Sequence, residues 1–85
     1  MSVKLVYFAW VRERIGKTEE IMDLPDSVVT VRDLLAHLAT LDEGYAAALQ
    51  APEYIRVALN QEHVLHDEAI GNATEIALFP PMTGG

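Results

Sequence analysis

Apolar residues dominate two short segments of this chain. Residues 3–11 have the sequence Val-Lys-Leu-Val-Tyr-Phe-Ala-Trp-Val, and residues 75–79 have the sequence Glu-Ile-Ala-Leu-Phe. Because β-branched and aromatic residues favour strands, both segments are predicted to be strands. They are also more continuously apolar than the other strand candidates, which is typical of two adjacent parallel strands covered on both faces.

A second strand is predicted over residues 18–24, after a turn at Gly16-Lys17, so that the first two strands form a hairpin. A helix is predicted to begin at Thr30, because Thr30 and Asp33 fit the capping pattern of a hydroxyl followed three residues later by an acid. Its apolar residues recur at helical spacing, at Val31, Leu34, Leu35, Leu38 and Leu41. This single stripe predicts a helix that lies across the sheet and packs into the core.

The remaining predicted elements are short. They are a helix over 44–50, a strand over 54–59, a turn at Asn60-Gln61, an extended return over 63–65 and a turn at Gly71-Asn72. The order strand, strand, helix, strand, short elements, strand is that of an α+β protein with a β-grasp fold. In that fold one main helix packs across a mixed sheet whose first and last strands are parallel neighbours.

The length, charge and hydropathy of the chain limit the kinds of function that it can have. A length of 85 residues allows one domain, which we place at 1–79 with an extended tail over 80–85. Thirteen acidic and six basic residues give a formal charge of −7, which argues against binding to nucleic acid. Residues 1–4 show no signal-peptide pattern and no apolar stretch reaches the ~20 residues of a membrane helix, so we expect a cytoplasmic protein without membrane contact.

Side-chain chemistry offers no convincing active site. The chain has no cysteine, and its three histidines are His37, His63 and His66. The His63-x-x-His66-Asp67 run lacks a fourth metal ligand at suitable spacing, so solvated or structural roles are favoured for the histidines. The paired carboxylates, such as Glu19-Glu20, are expected on exposed faces, and no glycine-rich phosphate loop is present. We therefore expect a protein that is not a catalyst by itself.

Arg12, Arg14 and Lys17 place half of the basic residues within one short stretch. Such a stretch is either an ordinary solvated hairpin or a local docking patch, and charge alone favours the hairpin.

The sequence ends in Gly84-Gly85, directly after Phe79-Pro80-Pro81-Met82-Thr83. Proline fixes φ and extends the residue before it, whereas glycine can pass through a gap that excludes side chains. A rigid, extended segment that ends in two residues without side chains suggests a tail that enters a narrow pocket of a partner protein. A frayed terminus is the ordinary alternative, but here the tail begins directly at a predicted buried strand.

Three segments carry a resemblance to a known family. The C-terminal Phe-Pro-Pro-Met-Thr-Gly-Gly, the Tyr7-Phe8-Ala9 segment with Val11-Arg12-Glu13, and the run Val57-Ala58-Leu59-Asn60-Gln61 resemble the small subunits of molybdopterin synthase. These segments span almost the whole chain in the family's order, and the Pro-Pro-x-Thr-Gly-Gly ending is fairly specific.

The resemblance implies a ubiquitin-like sulfur carrier. In that family an ATP-dependent enzyme adenylates the terminal carboxylate, here on Gly85, and a sulfur donor converts it to a thiocarboxylate. The large synthase subunit then receives the tail, with Gly84 giving clearance, and sulfur passes to cyclic pyranopterin monophosphate. The two subunits usually form a heterotetramer. The resemblance implies no cofactor bound by this chain, since ATP is used by the activating enzyme.

The same resemblance implies a set of contacts with the partners. The residues at these contact positions are Phe8, Arg12, His63, Phe79, Pro80, Pro81, Met82 and Thr83. For Phe8, contact with a partner and ordinary sheet packing are both open, whereas contact is favoured for Phe79. His63 lies where relatives are expected to have an apolar residue, which leaves the details of the docking face open.

Three other functions fit the sequence. A sulfur carrier for thiamine biosynthesis also ends in Gly-Gly, although such chains are generally shorter and lack the Phe-Pro-Pro stalk. A protein modifier conjugated through Gly85 would share the activation chemistry. The third is a plain interaction module with an idle tail.

Overall fold

The structure, a computed structural model, describes residues 2–81. Its elements in chain order are β1 (Ser2–Tyr7), α1 (Ala9–Ile15), β2 (Glu19–Asp23), α2 (Val31–Leu38), α3 (Glu43–Ala48), a 3-10 helix (Pro52–Tyr54), β3 (Arg56–Leu59), β4 (Glu62–Val64) and β5 (Glu75–Phe79). The described strands form one mixed sheet in the order β2-β1-β5-β3-β4. None of the helices in residues 2–81 is long and apolar enough to cross a membrane.

The first and last strands are parallel neighbours at the centre of this sheet, as predicted. Lys4 lies opposite Glu75 and Tyr7 opposite Leu78. β2 pairs antiparallel with the outer side of β1, while β3 pairs antiparallel with the other side of β5. β5 is therefore held on both sides, and the chain beyond Phe79 leaves from the middle of the sheet.

One face of the sheet carries the core. Alternate strand residues Leu5, Tyr7, Ile76 and Leu78 are completely buried beneath the helices. The helices contribute buried residues to the same cluster: Val11, Ile15, Val31, Leu34, Leu35, Leu38, Tyr45 and Ala48. Alternation places Phe79 on the opposite face, where it is only partly buried.

The capping box at the start of α2 is confirmed. The Thr30 hydroxyl accepts a hydrogen bond from the Asp33 amide at 3.1 Å, and the Asp33 carboxylate accepts one from the Thr30 amide at 3.1 Å. The helix ends at Leu38, however, and Leu41 is 42 % exposed. The apolar stripe of α2 is thus shorter by one turn than the sequence predicts.

The predicted strand over 3–11 is wrong beyond Tyr7. Residues Ala9–Ile15 form α1, in which Val11 and Ile15, four positions apart, face the core. Ala9 turns the chain with a φ of 52°, and Gly16, with a φ of 86°, ends the helix by donating its amide to the Arg12 carbonyl at 2.8 Å. β1 and β2 are antiparallel as predicted, but a helix joins them instead of a hairpin turn.

The remaining predictions differ from the structure mainly at their boundaries. The short second helix is confirmed as α3, which Asp42 caps through the Gly44 and Tyr45 amides. Tyr54 belongs to the 3-10 helix and not to β3. The turn at Asn60-Gln61 is confirmed, with φ values of 50° and 70°.

Candidate functional site

The predicted site residues fall into two groups. Met82, Thr83, Gly84 and Gly85 lie outside the described residues. The other predicted site residues lie at the end of β5 or on segments next to it: Phe8, Arg12, His63, Phe79, Pro80 and Pro81.

The root of the tail is fixed by backbone pairing on both sides. Phe79 is the last residue of β5 and pairs with Arg56 at the beginning of β3. On the β1 side, the Phe8 amide donates a hydrogen bond to the Leu78 carbonyl at 3.1 Å. Because these contacts reach the final residues of β5, the tail starts from a rigid base without an intervening linker.

Three rings form an aromatic face, consisting of Phe8 between β1 and α1, His63 on β4 and Phe79 on β5. The Phe8 and Phe79 ring centroids are 6.5 Å apart in an edge-to-face arrangement, and the His63 and Phe79 centroids are 6.0 Å apart. Phe8 follows β1 and is 46 % exposed, while His63 lies on β4 opposite Ala58. Phe8 therefore both packs against Phe79 and presents open ring surface to a partner.

Arg12 lies on α1, one helical turn after Phe8, and its amide donates to the Phe8 carbonyl at 3.3 Å. Its side chain is exposed, and within residues 2–81 it forms no ion pair. The arginines of the basic stretch, Arg12 and Arg14, thus lie on a helix beside the tail and not in the predicted solvated hairpin. Lys17, the third basic residue, pairs with Glu20 at 3.2 Å.

On the helix side of the tail root lies a cleft of about 380 Å³, the tail-root cleft. Its walls are Trp10 and Arg14 from α1, Tyr54 from the 3-10 helix, and Pro80 and Pro81. The Arg14 guanidinium stacks 4.3 Å from the centroid of the Trp10 ring. Sequence reasoning missed this cleft, because Trp10 was assigned to a strand and Tyr54 is 44 positions away.

A second missed feature is the environment of Glu20. This carboxylate accepts hydrogen bonds from the hydroxyls of Tyr7 at 2.6 Å and Tyr45 at 2.5 Å, and from Lys17 at 3.2 Å. Burial alone would raise the pKa of Glu20, but these donors outweigh it and hold the pKa below its ordinary value. Burial, together with the bond to Glu20, raises the pKa of the Tyr7 hydroxyl. Glu20 is therefore not on the exposed face that the sequence suggested.

This cluster is structural in character. It joins β1, β2 and α3, and its tyrosine hydroxyls donate hydrogen bonds to a carboxylate whose pKa is held below its ordinary value. Such an arrangement favours cross-linking of elements over proton exchange with a substrate.

The histidines show no metal-binding arrangement in the described part of the chain. His66 places its Nε2 atom 2.7 Å from the Ile55 carbonyl oxygen, which gives it a structural partner. His63 contacts Phe79, and His37 is partly buried on α2. Among residues 2–81 no group of three histidine, aspartate or glutamate side chains converges as a metal site would require.

Comparison with known proteins places these features in a family. The sequence model of the ThiS family matches residues 5–85. The molybdopterin synthase sulfur carrier subunit of Escherichia coli is 38 % identical, over 98 % of this chain and 99 % of the relative. The molybdopterin synthase sulfur carrier subunit of Haemophilus influenzae is 36 % identical, over 98 % of this chain and 99 % of the relative.

The fold comparison agrees. The crystal structure of SAMP1, the small archaeal modifier protein 1 of Haloferax volcanii, superimposes with a TM-score of 0.71 at 31 % identity, covering both chains completely. The β-grasp prediction is thereby confirmed, as is the family resemblance drawn from the sequence. The chain belongs to the ThiS family, and the full-length relatives named above are molybdopterin synthase sulfur carrier subunits.

Proposed function

We propose that this chain is the sulfur carrier subunit of a molybdopterin synthase. The observation that carries the proposal is the full-length similarity, at 38 % identity, to a relative that bears this name. The geometry supports it, because the tail leaves from the rigid centre of the sheet between two surfaces that contain aromatic residues. A cargo on its last residue would therefore be positioned by docking of the whole domain.

The proposed chemistry takes place on the carboxyl carbon of Gly85. A carboxylate is a poor electrophile, so a separate adenylating enzyme uses ATP to form the mixed anhydride with AMP. A sulfur donor then displaces AMP and leaves a thiocarboxylate. Because the chain has no cysteine, no side-chain thiol competes for the sulfur.

Delivery follows in the large synthase subunit. There Gly85 donates its sulfur to cyclic pyranopterin monophosphate, and two rounds build the dithiolene. Gly84 gives the clearance that a narrow entrance needs. Residues Pro80–Thr83 would pass through that entrance and contact its walls. The partner would contact Phe8, Arg12, His63 and Phe79 around the entrance. The assembled complex is a heterotetramer in the cytoplasm.

The test is the intact mass of the chain after incubation with its adenylating enzyme, ATP and a sulfur donor. We expect an increase equal to the exchange of one oxygen for one sulfur atom at Gly85. Deleting Gly85, or adding one residue after it, should abolish molybdopterin formation and leave the thermal midpoint unchanged. Formation of molybdopterin by either variant would exclude the terminal carboxylate as the sulfur carrier.

A second candidate function is protein modification through Gly85. The similarity to small archaeal modifier protein 1 favours it. It shares the adenylation step but ends in an amide bond to a lysine of a target. Conjugates that resist reducing agent, seen by mass spectrometry after expression of the tagged chain, would support this function. Their absence, with sulfur on Gly85, would support the carrier.

A further inference from the structure

The tail-root cleft presents a mainly apolar surface next to the proposed docking face. Tyr54 is 59 % exposed, and Trp10 is only partly buried although it packs on the core. With Pro80 and Pro81 as a further wall, the cleft presents aromatic and proline rings, next to the longer side chains of Arg14 and Gln50. Rigid aromatic surface of this kind forms the anchor pockets of protein interfaces.

The charge of the cleft is opposite to that of the protein. The chain has a formal charge of −7, yet among residues 2–81 no carboxylate lines the cleft, and Arg14 is the one charged residue that this part of the chain contributes to it. Within residues 2–81 Arg14 forms no ion pair, whereas Lys4 and Lys17 pair with Glu19 and Glu20. The cleft is therefore suited to an apolar side chain with a carboxylate close to it.

The aromatic face alone is too small for a stable assembly. Stable complexes bury about 800 Å² on each partner. An aromatic side chain contributes about 150–250 Å² when fully covered, and Phe8, His63 and Phe79 are already partly covered by one another. A partner that encloses the tail has to surround its root, so the cleft on the other side of Pro80 continues the same interface.

We propose that the tail-root cleft is the second half of the docking surface for the large synthase subunit. The large subunit inserts an apolar side chain between Trp10 and Tyr54 and presents a carboxylate to Arg14. This inference rests on the proposed function, because it requires that the large subunit receives the tail.

The experiment measures binding of the purified large subunit to the full-length chain. Tyr54→Ala removes one wall of the cleft, and Arg14→Glu reverses its charge. Ile21→Ala and Arg32→Glu are matched controls, since Ile21 is 70 % exposed on the outer strand β2 and Arg32 is an exposed arginine on α2. We expect each cleft variant to weaken binding by about tenfold and each control to bind like the unaltered chain.

A second measurement reports on the cleft directly. Trp10 is the only tryptophan of the chain, so 5-fluorotryptophan labelling gives one fluorine resonance. We expect this resonance to shift when the large subunit is added, and to shift equally in the Ile21→Ala variant.

The outcomes separate this inference from the proposed function. If the unaltered chain does not bind the large subunit, both fail. If it binds, but the fluorine resonance stays in place and the cleft variants bind equally well, only the cleft inference fails. Cleft variants that bind the large subunit normally but are no longer loaded with sulfur would assign the cleft to the adenylating enzyme, and would also overturn the inference.

Discussion

At the scale of single residues, Glu20 has the most specific environment in the described chain. Its side chain is 17 % exposed, and it accepts hydrogen bonds from two tyrosines and a lysine. Hydrogen bonds to a charged group contribute more than neutral ones, and removing the acceptor leaves its donors without a partner. Glu20 therefore stabilises the contact of β2 with β1 and α3.

We predict that Glu20→Gln lowers the free energy of unfolding by about 1–3 kcal/mol. The folded pKa of Glu20 lies below its ordinary value of 4.5, so its stabilising effect is complete above that value and is lost as the pH falls through the lowered pKa. Urea unfolding measured at several pH values should therefore show a smaller loss of stability in acid for Glu20→Gln than for the unaltered chain.

The neighbouring acid provides the control. Glu19 forms a surface ion pair with Lys4 at 3.2 Å, with both side chains about half exposed. Such pairs contribute little, so Glu19→Gln should change the free energy of unfolding by less than about 1 kcal/mol. Equal effects of the two substitutions would contradict a special role for Glu20.

At the scale of elements, the capped helix α2 was predictable and the helix α1 was not. Thr30 and Asp33 are three residues apart, so their mutual hydrogen bonds are visible in the sequence. In α1 the cap position is Phe8, which provides no side-chain hydrogen bond. Alternating apolar residues continue the pattern of β1 past Tyr7, and only Gly16 at the helix end signalled a helix.

We predict that Thr30→Ala destabilises the protein by about 1 kcal/mol, the usual effect of losing a helix cap. The other half of the capping box remains in this variant, because the Thr30 and Val29 backbone amides still donate to Asp33 and hold its pKa below the ordinary value. Chemical denaturation followed by circular dichroism measures the loss. Ser27→Ala serves as the control, because Ser27 is exposed in the same loop and forms no side-chain hydrogen bond with residues 2–81. A similar loss in both variants would count against the cap.

At the scale of the whole molecule, the sequence predicted the parallel pairing at the centre of the sheet but not the surfaces at its end. The parallel pairing of β1 and β5 is confirmed, but the coverage of both faces that their apolar character suggested is not, because only alternate residues of each strand are buried. The tail-root cleft joins residues that are 44 positions apart, Trp10 and Tyr54. No local sequence pattern predicts that these two residues line one cleft, because their proximity depends on how α1 and the 3-10 helix pack.

The same central pairing makes a prediction about where the folding unit ends. β5 contributes Ile76 and Leu78, both completely buried, and it hydrogen-bonds to strands on both sides. Losing one large buried side chain costs about 2–5 kcal/mol. Losing both side chains, together with the hydrogen bonds to both neighbouring strands, would therefore cost an amount comparable to the stability of about 5–15 kcal/mol that is typical of a domain. A chain that ends at Asn72 should not fold.

A chain that ends at Phe79 should fold with almost the stability of the full-length protein. The buried core of the described residues runs from Val3 to Leu78, so this truncation removes only the cleft wall formed by Pro80 and Pro81 and the residues after it. Urea unfolding should give a free energy within about 0.5 kcal/mol of the full-length value, the range of ordinary surface changes. A chain ending at Pro81 is the matched comparison. A large loss of stability in the chain ending at Phe79, but not in the one ending at Pro81, would move the boundary of the folding unit into the tail and assign the prolines a structural role.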